Sequence, residues 1–107
     1  MEDARLPAQL EATALLRRVQ AEGGFGTVLR KGEPEAGTLL IVLVENGGNA
    51  RVFERMPQLD GTRAWHCSKQ DDGNTGAIDS YLARRADQDR DLWILELDIV
   101  DGERFIR

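Results

Sequence analysis

One cysteine and one histidine are all that 107 residues contain of the two side chains that most often bind metals or act as nucleophile and base. A single cysteine excludes an internal disulfide, and with it a cysteine-rich zinc site within one chain. A reducing compartment, the cytoplasm, suits such a chain. The longest apolar run, Leu39 to Val44, is six residues, against roughly 18 needed to span a bilayer. The opening residues carry Glu2 and Asp3 without the apolar stretch of a secretory signal. Positive charge is also in deficit. With 14 basic and 19 acidic residues the formal net charge is −5, so the long-range field opposes docking on nucleic acid or on an anionic membrane. Lysine occurs only at positions 31 and 69. The other basic residues are arginines, an excess that codon usage explains as readily as bidentate recognition does.

What is present is ordinary for a globular protein: 41% apolar and 31% charged residues, enough to bury a core without metal or disulfide staples. Residues 1–107 therefore read as one small domain, with residues 1–6 flexible. From Ala8 to Glu22, the residues Ala8, Ala12, Leu15, Leu16 and Val19 recur on one helical face. Pro7 suits the first turn and Gly23-Gly24 the stop. Phe25 to Arg30 reads as a strand and Gly32 to Gly37 as a turn. Thr38 to Glu45 reads as an inner strand covered on both faces, because its aliphatic run does not alternate. Asn46-Gly47-Gly48-Asn49 signals a tight hairpin into a strand from Ala50 to Met56. Arg63 to Lys69 is a further strand and Gln70 to Gly76 an exposed loop. Ile78, Tyr81, Leu82 and Arg85 have the spacing of a second helix, and Leu92 to Val100 alternates as a strand with Trp93, Leu95, Leu97 and Ile99 on one face. Asp101-Gly102 before Arg104-Phe105-Ile106 predicts a type I′ turn and a short closing hairpin. The expected fold is α+β, a mostly antiparallel sheet of about five strands with two helices packed on one face.

Several patterns imitate known chemistry and fail on context. Gly23-Gly24-Phe25-Gly26 resembles a phosphate-binding loop, but it follows a helix and precedes a strand, and no kinase signature accompanies it, so it reads as a helix stop. Asp87, Asp89 and Asp91 alternate as at the start of a calcium loop, yet Leu92 stands where the loop needs glycine, and a solvated helix end explains them. His66 and Cys67 are adjacent, and successive strand residues point to opposite faces, so they form no dyad. His66 reads as an ordinary surface or hydrogen-bonded side chain and Cys67 as a small buried apolar one. No metal or cofactor is expected.

The densest chemical segment is Arg55 to Trp65, which holds Arg55, Pro57, Asp60, Gly61, Arg63 and Trp65. Arg51, Phe53 and Arg55 share one face of their strand, as Glu96 and Asp98 share one face of theirs. Were those strands neighbours, cross-strand ion pairs would satisfy the arginines. Otherwise Arg55 and Arg63 flank a loop with donors to spare, and an anionic ligand or acidic peptide is the natural filler. Asp60-Gly61 serves a turn, and Trp65 and Trp93 serve as core or groove walls.

Glu54 through Arg63, with Ala14-Leu15-Leu16-Arg17-Arg18 before it and Asp91-Leu92-Trp93-Ile94 through Asp101-Gly102-Glu103-Arg104-Phe105 after it, resembles a family of small alphaproteobacterial proteins catalogued as a domain of unknown function. The resemblance runs from Arg5 to Phe105. It implies a bacterial cytoplasmic protein of one short domain and brings no substrate, cofactor or active site.

The functional expectation is a non-catalytic binding or protein-interaction module using residues 51–65, with Arg51, Phe53, Arg55, Asp60, Arg63 and Trp65 as contact residues. A protein partner or small anionic ligand would occupy it, nucleic acid and membrane would not, and the chain is a candidate homodimer. The alternative is a small enzyme acting on an anionic substrate, with Asp60 or His66 as base and Arg55 and Arg63 as anion binders.

Overall fold

The computed structural model describes residues 6–73 and 76–106. The flexibility expected of the first six residues falls, for residues 1–5, outside that range, as do residues 74–75 of the expected 70–76 loop. Helix α1 spans Ala8–Ala21 with Pro7 as the residue before it. Gly23, at φ 90°, turns the chain out of the helix, and the Gly24 amide donates to the Val19 carbonyl at 2.9 Å. The glycine pair is thus a helix stop, as its context predicted.

Five strands follow, β1 Phe25–Arg30, β2 Leu39–Glu45, β3 Gly48–Pro57, β4 Arg63–Gln70 and β5 Trp93–Asp98, with helix α2, Ala77–Gln88, between the last two. They form one sheet in the order β1-β5-β2-β3-β4. Only β2 and β5 run parallel; every other neighbouring pair is antiparallel. The β2–β3 connection uses Asn46 and Gly47 at φ 52° and 77°, the positive pair that a two-residue hairpin turn requires. The chain is the expected α+β domain with a mostly antiparallel five-stranded sheet.

The two helices lie on opposite faces of that sheet, not on one. Ala8, Ala12, Leu15 and Val19 of α1 pack with Leu39, Ile41, Leu43, Trp93, Leu95 and Leu97. Ile78, Tyr81, Leu82 and Ala86 of α2 pack with Leu40, Val42, Val44 and Ile94. Strand β2 explains the correction. Its side chains alternate between faces, all of Leu39 to Val44 are buried, and a single layer of helices would leave one set of three in water. At roughly 25 cal/mol per Å² of apolar surface, exposing three such side chains would cost several kcal/mol.

Two further expectations change. The chain after β5 makes a 3₁₀ turn, Gly102–Phe105, in place of a closing hairpin. Asp101 does take positive φ, 56°, but Phe105 and Ile106 are consecutive and both buried in the α1-side core, which an alternating strand on one face cannot achieve. Cys67 is exposed, not buried. It lies on the edge strand β4, which α1, packed over β1, β5 and part of β2, does not cover.

Candidate functional site

Residues 51–65 are mostly strand. β3 and β4 pair from Arg51↔Gln70 to Pro57↔Arg63, so only residues 58–62 form the connecting turn, and Arg55 and Trp65 are directly opposed. Within the turn the Gln58 amide donates to the Thr62 carbonyl at 2.7 Å. One oxygen of Asp60 accepts from the Thr62 hydroxyl at 2.7 Å and from its amide at 3.0 Å. The hydroxyl bond foremost, then the amide, hold the Asp60 carboxyl below the usual carboxylate range. Asp60 therefore shapes the hairpin and lies away from the neighbouring groove.

Alternation along β3 sends Arg51, Phe53 and Arg55 to the α1 side, as expected. The partners of the arginines are not those the strand phases suggested. β2 separates β3 from β5, so neither Glu96 nor Asp98 can pair across to Arg55. Asp98 instead accepts the amides of Asn46 and Gly47 at 2.8 and 3.1 Å and braces the β2–β3 turn. Arg55 makes a fork-to-fork pair with Glu11 of α1, each of its two terminal nitrogens 2.7 Å from a different carboxylate oxygen. Its guanidinium also lies 4.7 Å from the centre of a Trp65 ring. Arg51 pairs with Glu103 of the 3₁₀ turn and sits 5.8 Å from the Phe53 ring.

Beside this row is an open groove of about 570 Å³ lined by Phe53, Arg55, Arg63, Ala64, Trp65, Glu103 and Ile106. It exists because α1 covers β1, β5 and part of β2, and the 3₁₀ turn covers β2 further along, leaving β3 and β4 bare on that side. Of the six predicted contact residues, four line the groove, Arg51 stands behind it in contact with Phe53 and Glu103, and Asp60 is in the turn. The Nε–H groups of Arg51 and Arg55 are buried without a hydrogen-bond partner, and an unmet buried donor costs about 1–3 kcal/mol. Stacking and ion pairing hold Arg55 in one orientation, so that part of the groove is preorganised: an aromatic and aliphatic wall carrying one fixed guanidinium.

The residues of the alternative set lie on different faces of the sheet. His66 is exposed and opposes Glu54, which places it on the α2 side of the sheet, across from the Arg55 groove. Among the described residues no three His, Cys, Asp or Glu side chains are placed to hold a metal ion.

A second cluster escaped the sequence reading. Glu54, next to Arg55 but facing α2, accepts from the Ser68 hydroxyl and Arg85 Nε at 2.8 Å each and from the Tyr81 hydroxyl. Burial alone would raise the Glu54 carboxyl, but the bonds from Tyr81, Ser68 and Arg85 outweigh it and hold the group below its ordinary value. Burial, and then the carboxylate it donates to, push the Tyr81 hydroxyl up. The signal was available. Arg85 occupies an inward position in the periodicity of α2, and an inward arginine calls for a carboxylate on the surface beneath it.

A family model described as "Protein of unknown function (DUF1491)" matches residues 6–107. The crystal structure of a DUF1491 family protein from Caulobacter crescentus CB15 superposes with a TM-score of 0.83 at 34% identity, covering 94% of each chain. An NMR structure of a DUF1491 family protein from the same organism gives 0.79 at 34% identity, over 94% of this chain and 92% of that one. A solution structure of a protein from A. tumefaciens gives 0.79 at 25% identity, over 95% and 92%. No curated protein matches.

Proposed function

This chain belongs to the DUF1491 family, and for it we propose a role as a non-catalytic binding module whose β3–β4 groove receives a short acidic segment of a protein partner in the cytoplasm. The observation that supports this reading most is the convergence of Phe53, Arg55, Arg63 and Trp65 on one open groove. Its chemistry selects the occupant. Trp65, Phe53, Ala64 and Ile106 form an apolar wall suited to an aliphatic or aromatic side chain, and the arginines beside it favour a neighbouring carboxylate. A groove of about 570 Å³ holds one or two side chains, which is the scale of a short linear segment. An exposed free thiol at Cys67 is compatible with a reducing compartment.

The test is a fluorescence-polarisation titration with labelled peptides that carry a central Leu or Phe flanked by Asp or Glu, with neutral and basic peptides of the same core alongside. Saturable binding is expected for the acidic set only, and it should be lost in Trp65→Ala while the far-UV spectrum is retained. Equal binding of the basic set, or binding that survives Trp65→Ala, contradicts the proposal.

A further inference from the structure

The two edges of the sheet differ in a way the groove does not explain. β4 is a guarded edge: it presents His66, Ser68, Lys69 and Gln70, polar and charged side chains that oppose edge-to-edge pairing. β1, Phe25–Arg30, has no charged residue before its last position. Phe25, Leu29 and Val28 are 74%, 48% and 41% exposed, although β1 has a helix above it and a strand beside it.

We infer that β1 is the interface of a two-fold homodimer, in which β1 pairs antiparallel with β1 of a second copy and the two sheets become one of ten strands. The strand is complementary to itself in one register. Opposed residues in an antiparallel pair share a face, so a two-fold axis perpendicular to the sheet passes through a single residue, and Thr27 at the axis satisfies the pattern. Phe25 then opposes Leu29 of the second copy. Phe25 is opposite Asp98 and Thr27 opposite Glu96 in the sheet, and Leu29 lines the same cavity as Glu96 and Val42, so both exposed side chains lie on the α2 side. On the α1 side Val28 opposes Gly26 of the second copy. The Leu16 side chain fills the space over Gly26, where a Cβ would stand 2.5 Å from Leu16 Cδ2, so Val28 of the second copy meets an apolar side chain of α1 there.

At 100° per residue, Gln9, Thr13, Leu16 and Gln20 fall on the flank of α1 that overhangs β1. That flank is uncharged, so the helices of the two copies approach without repulsion. The bulge at Leu29 ends the ladder there and fixes its length.

Sedimentation velocity across micromolar to about millimolar concentration reads the assembly directly, and the wild-type chain should sediment as a concentration-dependent dimer. Thr27→Lys sets two like charges opposite each other at the axis and should raise the dissociation constant at least about tenfold, while His66→Lys on the guarded edge should leave it unchanged. In a Cys67→Ser background, Thr27→Cys should form a disulfide-linked dimer under mild oxidation, because this residue alone faces its own copy, and Phe25→Cys should not. A chain that stays monomeric throughout, a dimer that persists in folded Thr27→Lys, or Phe25→Cys linking as readily as Thr27→Cys overturns the inference. Should Thr27→Lys fail to fold, the cysteine pair decides.

Discussion

Glu54 and Arg55 are neighbours on β3, opposite in charge, and each is joined to a different helix on a different face of the sheet. Glu54 is saturated: Tyr81, Ser68 and Arg85 all donate to it, and its side chain is 12% exposed beneath α2. Arg55 is only part-satisfied. Glu11 takes its terminal nitrogens, Trp65 takes one face, its Nε–H is unmet, and it lines an open groove. The contrast separates two uses of a charged cluster. One whose partners are all internal anchors an element, and one held in place with donors unspent beside an opening is suited to a ligand.

The anchoring role follows from what α2 lacks. α1 buries Ala8, Ala12, Leu15 and Val19 completely or nearly so, whereas no residue of α2 is fully buried. Its apolar contacts alone are modest, and the Glu54 cluster supplies the directional part of its attachment. Glu54→Ala should therefore have the largest effect of the substitutions considered, about 2–3 kcal/mol by chemical denaturation, since it leaves Arg85 and Tyr81 without their shared acceptor. Hydrogen exchange should show the loss in residues 77–88 first. Equal loss of protection in 8–21 would break the distinction between the two helices.

Acid should sharpen the same comparison. The folded carboxyl of Glu54 is lowered from an ordinary value of 4.5, so its contribution is fully present above that value and is lost as pH falls through the folded one. Tyr81 is raised from 10.0, so the contribution of its neutral hydroxyl is present below pH 10 and is lost as pH climbs through the folded value. Stability curves should therefore fall at both extremes. Glu54→Gln should flatten the acid side and Tyr81→Phe the alkaline side, as read by thermal unfolding against pH.

Arg55→Ala comes next, at about 1–2 kcal/mol, because it removes a two-point ion pair and an aromatic stack while Glu11 remains partly solvated. Arg55→Lys should recover less than half of this, since an ammonium cannot match the fork or stack flat on the indole. The smallest effect belongs to the exposed Arg104–Glu22 pair, 2.9 Å apart: Glu22→Gln should change the unfolding free energy by less than about 1 kcal/mol. A larger change there would mean that exposed pairs, and not the Glu54 cluster, set the electrostatic part of stability.

Much of the fold was legible because local chemistry dictated it. Gly23-Gly24 could only stop a helix, Asn46-Gly47 could only turn tightly, and the unbroken run from Leu39 to Val44 required a strand with cover on both sides. That last reading conflicts with placing both helices on one face, and carried through it gives the observed arrangement. The row Arg51, Phe53 and Arg55 was likewise visible, since period-two alternation places it without further information, whereas Trp65 joins it only through the β3–β4 register. Its ion-pair partners were not, because Glu11 and Glu103 reach it through a sheet order that puts β2 between β3 and β5, and no local pattern encodes strand order. The final turn was misread for a related reason. Asp101-Gly102 suits a hairpin, but the consecutive burial of Phe105 and Ile106 is decided by the core they fill.

The distinction between Glu54 and Arg55 is tested most directly by recording the side-chain N–H resonances of Arg55, Arg85 and Trp65 while an acidic peptide of the kind described above is titrated in. The account predicts that the Arg55 Nε–H and the Trp65 indole signals shift together and saturate, while the Arg85 Nε–H, committed to Glu54, stays where it is. Movement of Arg85 with Arg55 and Trp65 unmoved would contradict it.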